Sequence, residues 1–203
     1  MQIERRKCFH RVQDLAGLPA ASPANSHMDT KDGRLYLRLE WRALDAALLC
    51  AGEARRVAAR DALLFRAARL SRFPKAADEE RALNMNEGLA EYTGWMLCGL
   101  PHAAAESRVA LALEQNEWNG PFSKGFSYTT GPAYGFLLDA EKPEWRTGLT
   151  DAVDLPDILA AAISWSPPAD PVTAAGTRLD PYHGRTLADS EEARERADEQ
   201  RRT

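Results

Sequence analysis

From Glu53 to Ser71 the chain runs through alanine, arginine and leucine, with Val57, Leu63, Leu64, Phe65 and Leu70 at helical spacing, and it stops near Pro74. Such a stretch has high helix propensity throughout and carries an apolar stripe that must be buried. The same period returns over residues 103–117 and over 154–164, where Asp154 is a candidate cap and Pro156 sits just inside the helix. Residues 2–15 read as a short helix with Ile3, Cys8, Phe9, Val12 and Leu15 toward one side. A chain built this way has to pack stripes against one another. The expected class is mainly α, a helical bundle or array with little or no sheet.

Strand patterning is nearly missing. The best candidate is Arg34-Leu35-Tyr36-Leu37-Arg38-Leu39, where apolar and charged residues alternate before a helical stripe takes over from Trp41 to Leu48. Residues 16–34 hold Gly17, Pro19, Pro23, Asn25, Asp29, Asp32 and Gly33 and predict a long loop. A helix with Asp78 or a neighbour as its cap runs through Leu83, Leu89 and Trp95 to Leu100. Pro132 fits the first turn of a later helix. Beyond Trp165, Pro, Asp, Thr and Gly predict a linker as far as Gly184, and Ser190–Thr203 reads as a charged helix without an apolar face. The expected division is a helical domain over 1–165, then a linker and a charged C-terminal helix or tail over 166–203.

Composition excludes several classes. A net charge of −4 argues against a nucleic-acid surface, and basic clusters such as Arg66/Arg69/Arg72 read as solvated helix faces. No apolar run approaches the roughly 18 residues that span a bilayer. No signal peptide follows Met1, so the default expectation is a cytoplasmic protein if Met1 is the true start. Cys8, Cys50 and Cys98 are odd in number and widely spaced, which predicts buried free thiols rather than disulfides. There is no phosphate loop, dinucleotide fingerprint or nucleophile elbow.

The segment richest in chemistry is Asn86-Glu87-Gly88-Leu89-Ala90-Glu91-Tyr92. On a helix, Glu87 and Glu91 share a face of an otherwise apolar element. Two like charges so placed repel, and burying them is costly unless a cation sits beside them. The competing reading is two solvated charges that pair with Arg81 or Arg108.

The Asn-Glu-Gly-(apolar)-Ala string resembles that of the gluzincin metallopeptidases, including the peptidase MA-like group. That resemblance implies a zincin-like helical domain built around an active-site helix pair. Glu87 matches the zinc-ligand position, and Glu91 matches a carboxylate that orients a ligand histidine. In such enzymes an HExxH helix supplies two histidines and the general base. Here Arg6-Lys7-Cys8-Phe9-His10 occupies that place. His10 matches the second histidine, Arg6 replaces the first, and Lys7 replaces the catalytic glutamate. Arginine does not ligate zinc, and a protonated lysine is no base for water. Zinc therefore belongs to the ancestral family and is expected to be absent or weakly held here. The expectation is an inactive relative, or a fragment of a peptidase with sequence missing before Met1 and after Thr203.

His27-Met28-Asp29-Thr30, Leu39-Glu40-Trp41-Arg42-Ala43-Leu44 and Tyr128-Thr129-Thr130-Gly131-Pro132-Ala133-Tyr134-Gly135 are similar to segments of bacterial peptidase-like relatives. Tyr128 is a weak candidate for a hydroxyl facing an oxyanion, against the plainer reading of a packed turn. His27 and Asp29 read as turn residues, and His102 and His183 as loop residues. Partners implied by the resemblance are an ancestral peptide, with no nucleic acid and no membrane. The rival class is a helical interaction module, without metal or catalysis, that binds a protein partner through the helices in 41–71 and 103–117.

Overall fold

A computed structural model describes residues 2–18, 20–119 and 122–202, with side chains from Cys8 to Arg201. The chain is 75% helical, and no strand occurs among the described residues. The helices are α1 (Gln2–Gln13), α2 (Lys31–Leu49), α3 (Gly52–Arg72), α4 (Ala76–Leu83), α5 (Leu89–Met96), α6 (His102–Asn116), α7 (Phe122–Gly125), α8 (Ser127–Glu141), α9 (Leu155–Ala162), α10 (Pro171–Gly176) and α11 (Gly184–Arg202). No helix among the described residues is long and apolar enough to cross a membrane.

The central element is α2, which packs on α3, α6, α8 and α11. It starts inside the stretch that predicts a loop, because the Thr30 hydroxyl caps it by accepting from the Gly33 N–H. Gly33 is needed there: a β-carbon would fall 1.8 Å from the His27 carbonyl oxygen. Residues 34–39 are helix, not strand. Their alternation misleads because Arg34, Tyr36, Leu37, Arg38 and Leu39 are all buried, so the segment has little solvent face for either period to mark.

Three successive residues of α2 then reach three parts of the bundle. Glu40 meets Arg69 of α3 and the Tyr134 hydroxyl of α8, Trp41 donates to Thr130 Oγ1 at 2.8 Å, and Arg42 grips Glu117 at 2.5 Å. Helix α8 begins at Ser127 and holds Pro132 in its interior rather than at its first turn. Likewise α4 begins at Ala76, ahead of Asp78.

The C-terminal stretch is helical and packed on the rest of the bundle. Helix α10 packs on α3, and α11 lies along α2 with Leu187 and Glu191 buried. Its attachment is ionic: Glu191 meets Arg34 at 2.6 Å and Arg38 at 2.7 Å, and Glu195 meets Arg34 at 3.1 Å. Cys8, Cys50 and Cys98 are free thiols, as expected, but Cys8 is exposed and the other two only half-buried.

Candidate functional site: the meeting of α1 with the Asn84–Gly88 turn

Helices α4 and α5 are joined without a break by a single π-helical turn, Asn84–Gly88, in which the Leu89 N–H donates to the Asn84 carbonyl five residues back. Such a turn inserts one residue into a helix and is common at functional positions. The turn holds the whole Asn86-Glu87-Gly88 string. It is pressed against α8 by glycines: a β-carbon on Gly131 would sit 2.3 Å from Gly88 Cα, and one on Gly135 2.4 Å from the Tyr92 ring. The spacing Gly131-x-x-x-Gly135 therefore lets α8 lie with its backbone on Gly88 and Tyr92.

On its other side α5 meets α1. His10 Nε2 lies 3.7 Å from Glu87 Oε2, with both side chains partly exposed. That is too long for a hydrogen bond. The other ring nitrogen, His10 Nδ1, lies 2.8 Å from Gln13 Oε1. Gln13 Nε2 donates to Asn86 Oδ1 at 2.9 Å, and Asn86 Nδ2 donates to the Ala21 carbonyl at 2.9 Å. Gln13 and Asn86 are both buried. The two sequence segments of interest are thus joined by a buried amide relay, one turn of α1 beyond His10.

The other candidate residues are distributed as follows. Glu91 is buried on α5, one turn after Glu87. Tyr128 lies on the first turn of α8, beside Ser127, whose carbonyl oxygen would be 3.3 Å from a β-carbon on Gly88. The side chains of Arg6 and Lys7 lie outside the described residues. Arg81 pairs with Asp78 at 3.1 Å. The His27 carbonyl makes the expected turn bonds, accepting from the Thr30 N–H and hydroxyl, while its ring reaches across the fold, with Nε2 2.9 Å from buried Glu80 and Nδ1 3.7 Å from Glu79. His102 begins α6 and meets Asp139 at 3.1 Å, with its ring edge-on to Phe136. His183 has a left-handed backbone, φ 51°, just before α11.

A catalytic zinc site needs three protein ligands and an open position. His10 and Glu87 supply two nitrogen and oxygen donors, and the guanidinium of Arg6 has no lone pair to offer as a third. Among the described residues no group of three His, Cys, Asp or Glu side chains is placed to hold a metal ion.

Two features escape the sequence. One is a buried ionic chain, His27–Glu80–Arg69–Glu40–Tyr134, with Arg66 and Asp154 beside it at 2.5 Å from each other. Burial pushes the Glu40 carboxyl upward and Glu80 adds to it, against the pull of Arg69. Glu80 goes the other way: burial alone would raise it, but Arg69, His27 and Arg66 together hold it below its ordinary value. No spacing rule marks these residues, since each partner lies on a different segment. The other is a cleft of about 310 Å³ between α2, α6 and the turn before α11, walled by Trp41, Leu113 and Tyr182 and lined by Asp45 and Glu114. Burial, then Glu114 and Glu117, push the Asp45 carboxyl up to about 6.

No family model matches the chain, and neither a curated protein nor a solved structure matches it.

Proposed function

We propose that the chain is a metallopeptidase-like protein of the gluzincin type in which the first half of the HExxH motif has been replaced, leaving a helix pair that does not hydrolyse peptides. The observation that carries this reading is the approach of His10 Nε2 to Glu87 Oε2 at 3.7 Å, across two elements 77 positions apart in the sequence. The Asn-Glu-Gly string and the Cys-Phe-His end of α1 belong to separate helices, and their side chains face each other. Lys7 at the base position supplies no acceptor for a water proton while it is protonated. On this reading the positive charge that zinc would bring beside Glu87 is carried instead by the arginine that stands at the first-histidine position, Arg6. The ancestral substrate is a peptide; nucleic acid is not a partner on this reading.

The test is metal analysis of the purified protein beside the double variant Arg6→His, Lys7→Glu. The parent is expected to carry no zinc and the variant to gain it. Near-stoichiometric zinc in the parent would overturn the inactive reading. A folded variant that still holds no metal would overturn the assignment of His10 and Glu87.

A second reading, a helical interaction module, is favoured by the apolar residues on and just after the outer face of α1: Val12 is 52% and Leu15 88% exposed. Exposed apolar groups at one end of a helix and in the turn that follows it suit a protein partner. It replaces the first reading if the variant above folds and stays metal-free.

A further inference from the structure

The relay from Ala21 to His10 has a direction, and the direction decides which imidazole nitrogen carries the proton. A backbone carbonyl only accepts hydrogen bonds, so the atom of Asn86 that lies 2.9 Å from the Ala21 oxygen must be the amide nitrogen. The same end of Asn86 lies 3.5 Å from Glu87 Oε1, a second acceptor. The other end, Oδ1, then faces Gln13, which must present its own NH2 group at 2.9 Å. That leaves Gln13 Oε1, an acceptor, 2.8 Å from His10 Nδ1. The opposite orientation of the two amides would set oxygen against oxygen at Ala21. Gln13 is 2% and Asn86 5% exposed, so little solvent reaches the two amides to relieve that repulsion.

We infer that Gln13 and Asn86 are positioning residues that hold neutral His10 as the Nδ1–H tautomer, with the lone pair of Nε2 turned toward the Glu87 carboxylate. The 3.7 Å gap between Nε2 and Glu87 Oε2 follows from this assignment, because two acceptors do not hydrogen-bond and stand apart. The face that α1 and the π turn present together is then an electron-pair face on both sides. It accepts a group that brings hydrogen-bond donors or positive charge, and it rejects another acceptor. The tautomer of a neutral imidazole is set by the hydrogen bond one of its nitrogens makes, and here Nδ1 has the fixed acceptor Gln13 Oε1.

The inference deepens the site proposed above but stands on the amide geometry alone. Failure of the zinc experiment leaves it intact, and its own failure leaves the peptidase ancestry intact.

The experiment is long-range nitrogen–proton NMR of the full chain, labelled with nitrogen-15 and held on the alkaline side of the imidazole titration, so that protonation plays no part. The parent is expected to show a protonated Nδ1 and a lone-pair-type Nε2 at His10. In Gln13→Leu the preference should be lost and the proton should move largely to Nε2. In Gln13→Glu, whose carboxylate still accepts from Nδ1–H, the parent pattern should return. A protonated Nε2 in the parent would by itself overturn the inference, whatever the variants show. Retention of the Nδ1–H form in a folded Gln13→Leu would overturn the role of the relay.

Discussion

Arg69 grips Glu80 through two parallel hydrogen bonds, Nε to Oε1 and Nη2 to Oε2, each 2.8 Å, and neither side chain is more than 1% exposed. The guanidinium is shared with Glu40 at 2.6 Å, so one buried cation ties α2, α3 and α4 together. A buried pair of this kind is weak evidence for added stability over an apolar core, but it is costly to break from one side only.

Glu80→Gln is therefore expected to destabilise by about 3–5 kcal/mol at neutral pH, because Arg69 keeps its charge and loses one of its two buried carboxylate partners. The pH dependence has a definite sign. The folded-state carboxyl lies below its ordinary value, so its contribution is complete above the unfolded value near ~4.3 and is lost as pH falls through the folded one. Denaturant melts of parent and variant should converge in acid. A gap that stays constant from neutral to strongly acidic pH would contradict this account.

The contact between Gly131 and Gly88 leaves no room for a methyl group, since the added carbon would lie 2.3 Å from backbone rather than from a side chain that can turn away. Gly131→Ala is expected to cost about 1–3 kcal/mol as overpacking, although alanine is the better helix former. It should also push the π turn toward α1 and disturb the His10 resonances. Thermal melts check the first part and a heteronuclear spectrum the second; an alanine variant as stable as the parent would show that α8 can shift freely.

The helical class and the places of α3, α6 and α9 are legible in the sequence because their apolar stripes follow one period and proline marks their ends, although Asp154, the cap expected for α9, turns its carboxylate to Arg66 and makes no side-chain cap bond. The α4–α5 segment is legible as a helix, but its π turn is not, since nothing in Asn84–Gly88 distinguishes five-residue from four-residue hydrogen bonding until α8 presses on it. Arg66 and Arg69 read as a solvated helix face, and Arg34 and Arg38 as the alternating charges of a strand, yet all four are buried; Glu191 reads as part of a charged helix or tail and is 1% exposed. These misreadings are reciprocal, because a helix whose inner face is ionic looks polar all round on both sides of the contact. At the site, the pairing of residues 10 and 87 is suggested by resemblance, whereas the Gln13–Asn86 relay between the same helices has no sequence signature.

That ionic contact makes α11 separable. Glu191→Ala removes the carboxylate that Arg34 and Arg38 share, while Leu187 is the one large apolar side chain that α11 buries among the described residues. We expect residues 184–202 to exchange amide protons much faster in the variant, with α3 protected as before, since local opening follows the loss of local contacts. Hydrogen exchange read by mass spectrometry checks this. Uniform acceleration across α2 and α3 would mean that α11 is part of the cooperative core.

Asp45 has the opposite pH behaviour from Glu80. It lines the cleft against α6 with Glu114 and Glu117 nearby, and burial first, then those two carboxylates, push it up to about 6. A folded value above the unfolded one, near ~3.9, means that the folded chain binds the proton more tightly, so this group's contribution is complete at low pH and is lost as pH rises from about 4 to about 6. Asp45→Asn removes that loss. The variant should melt higher than the parent at pH 7 and alike with it below pH ~4, by an amount reduced by the partial exposure of the group. Thermal melts across that range decide it. If the variant were less stable at neutral pH, the carboxylate would be serving a cationic partner within the cleft, and its ionised form would be the one the fold favours.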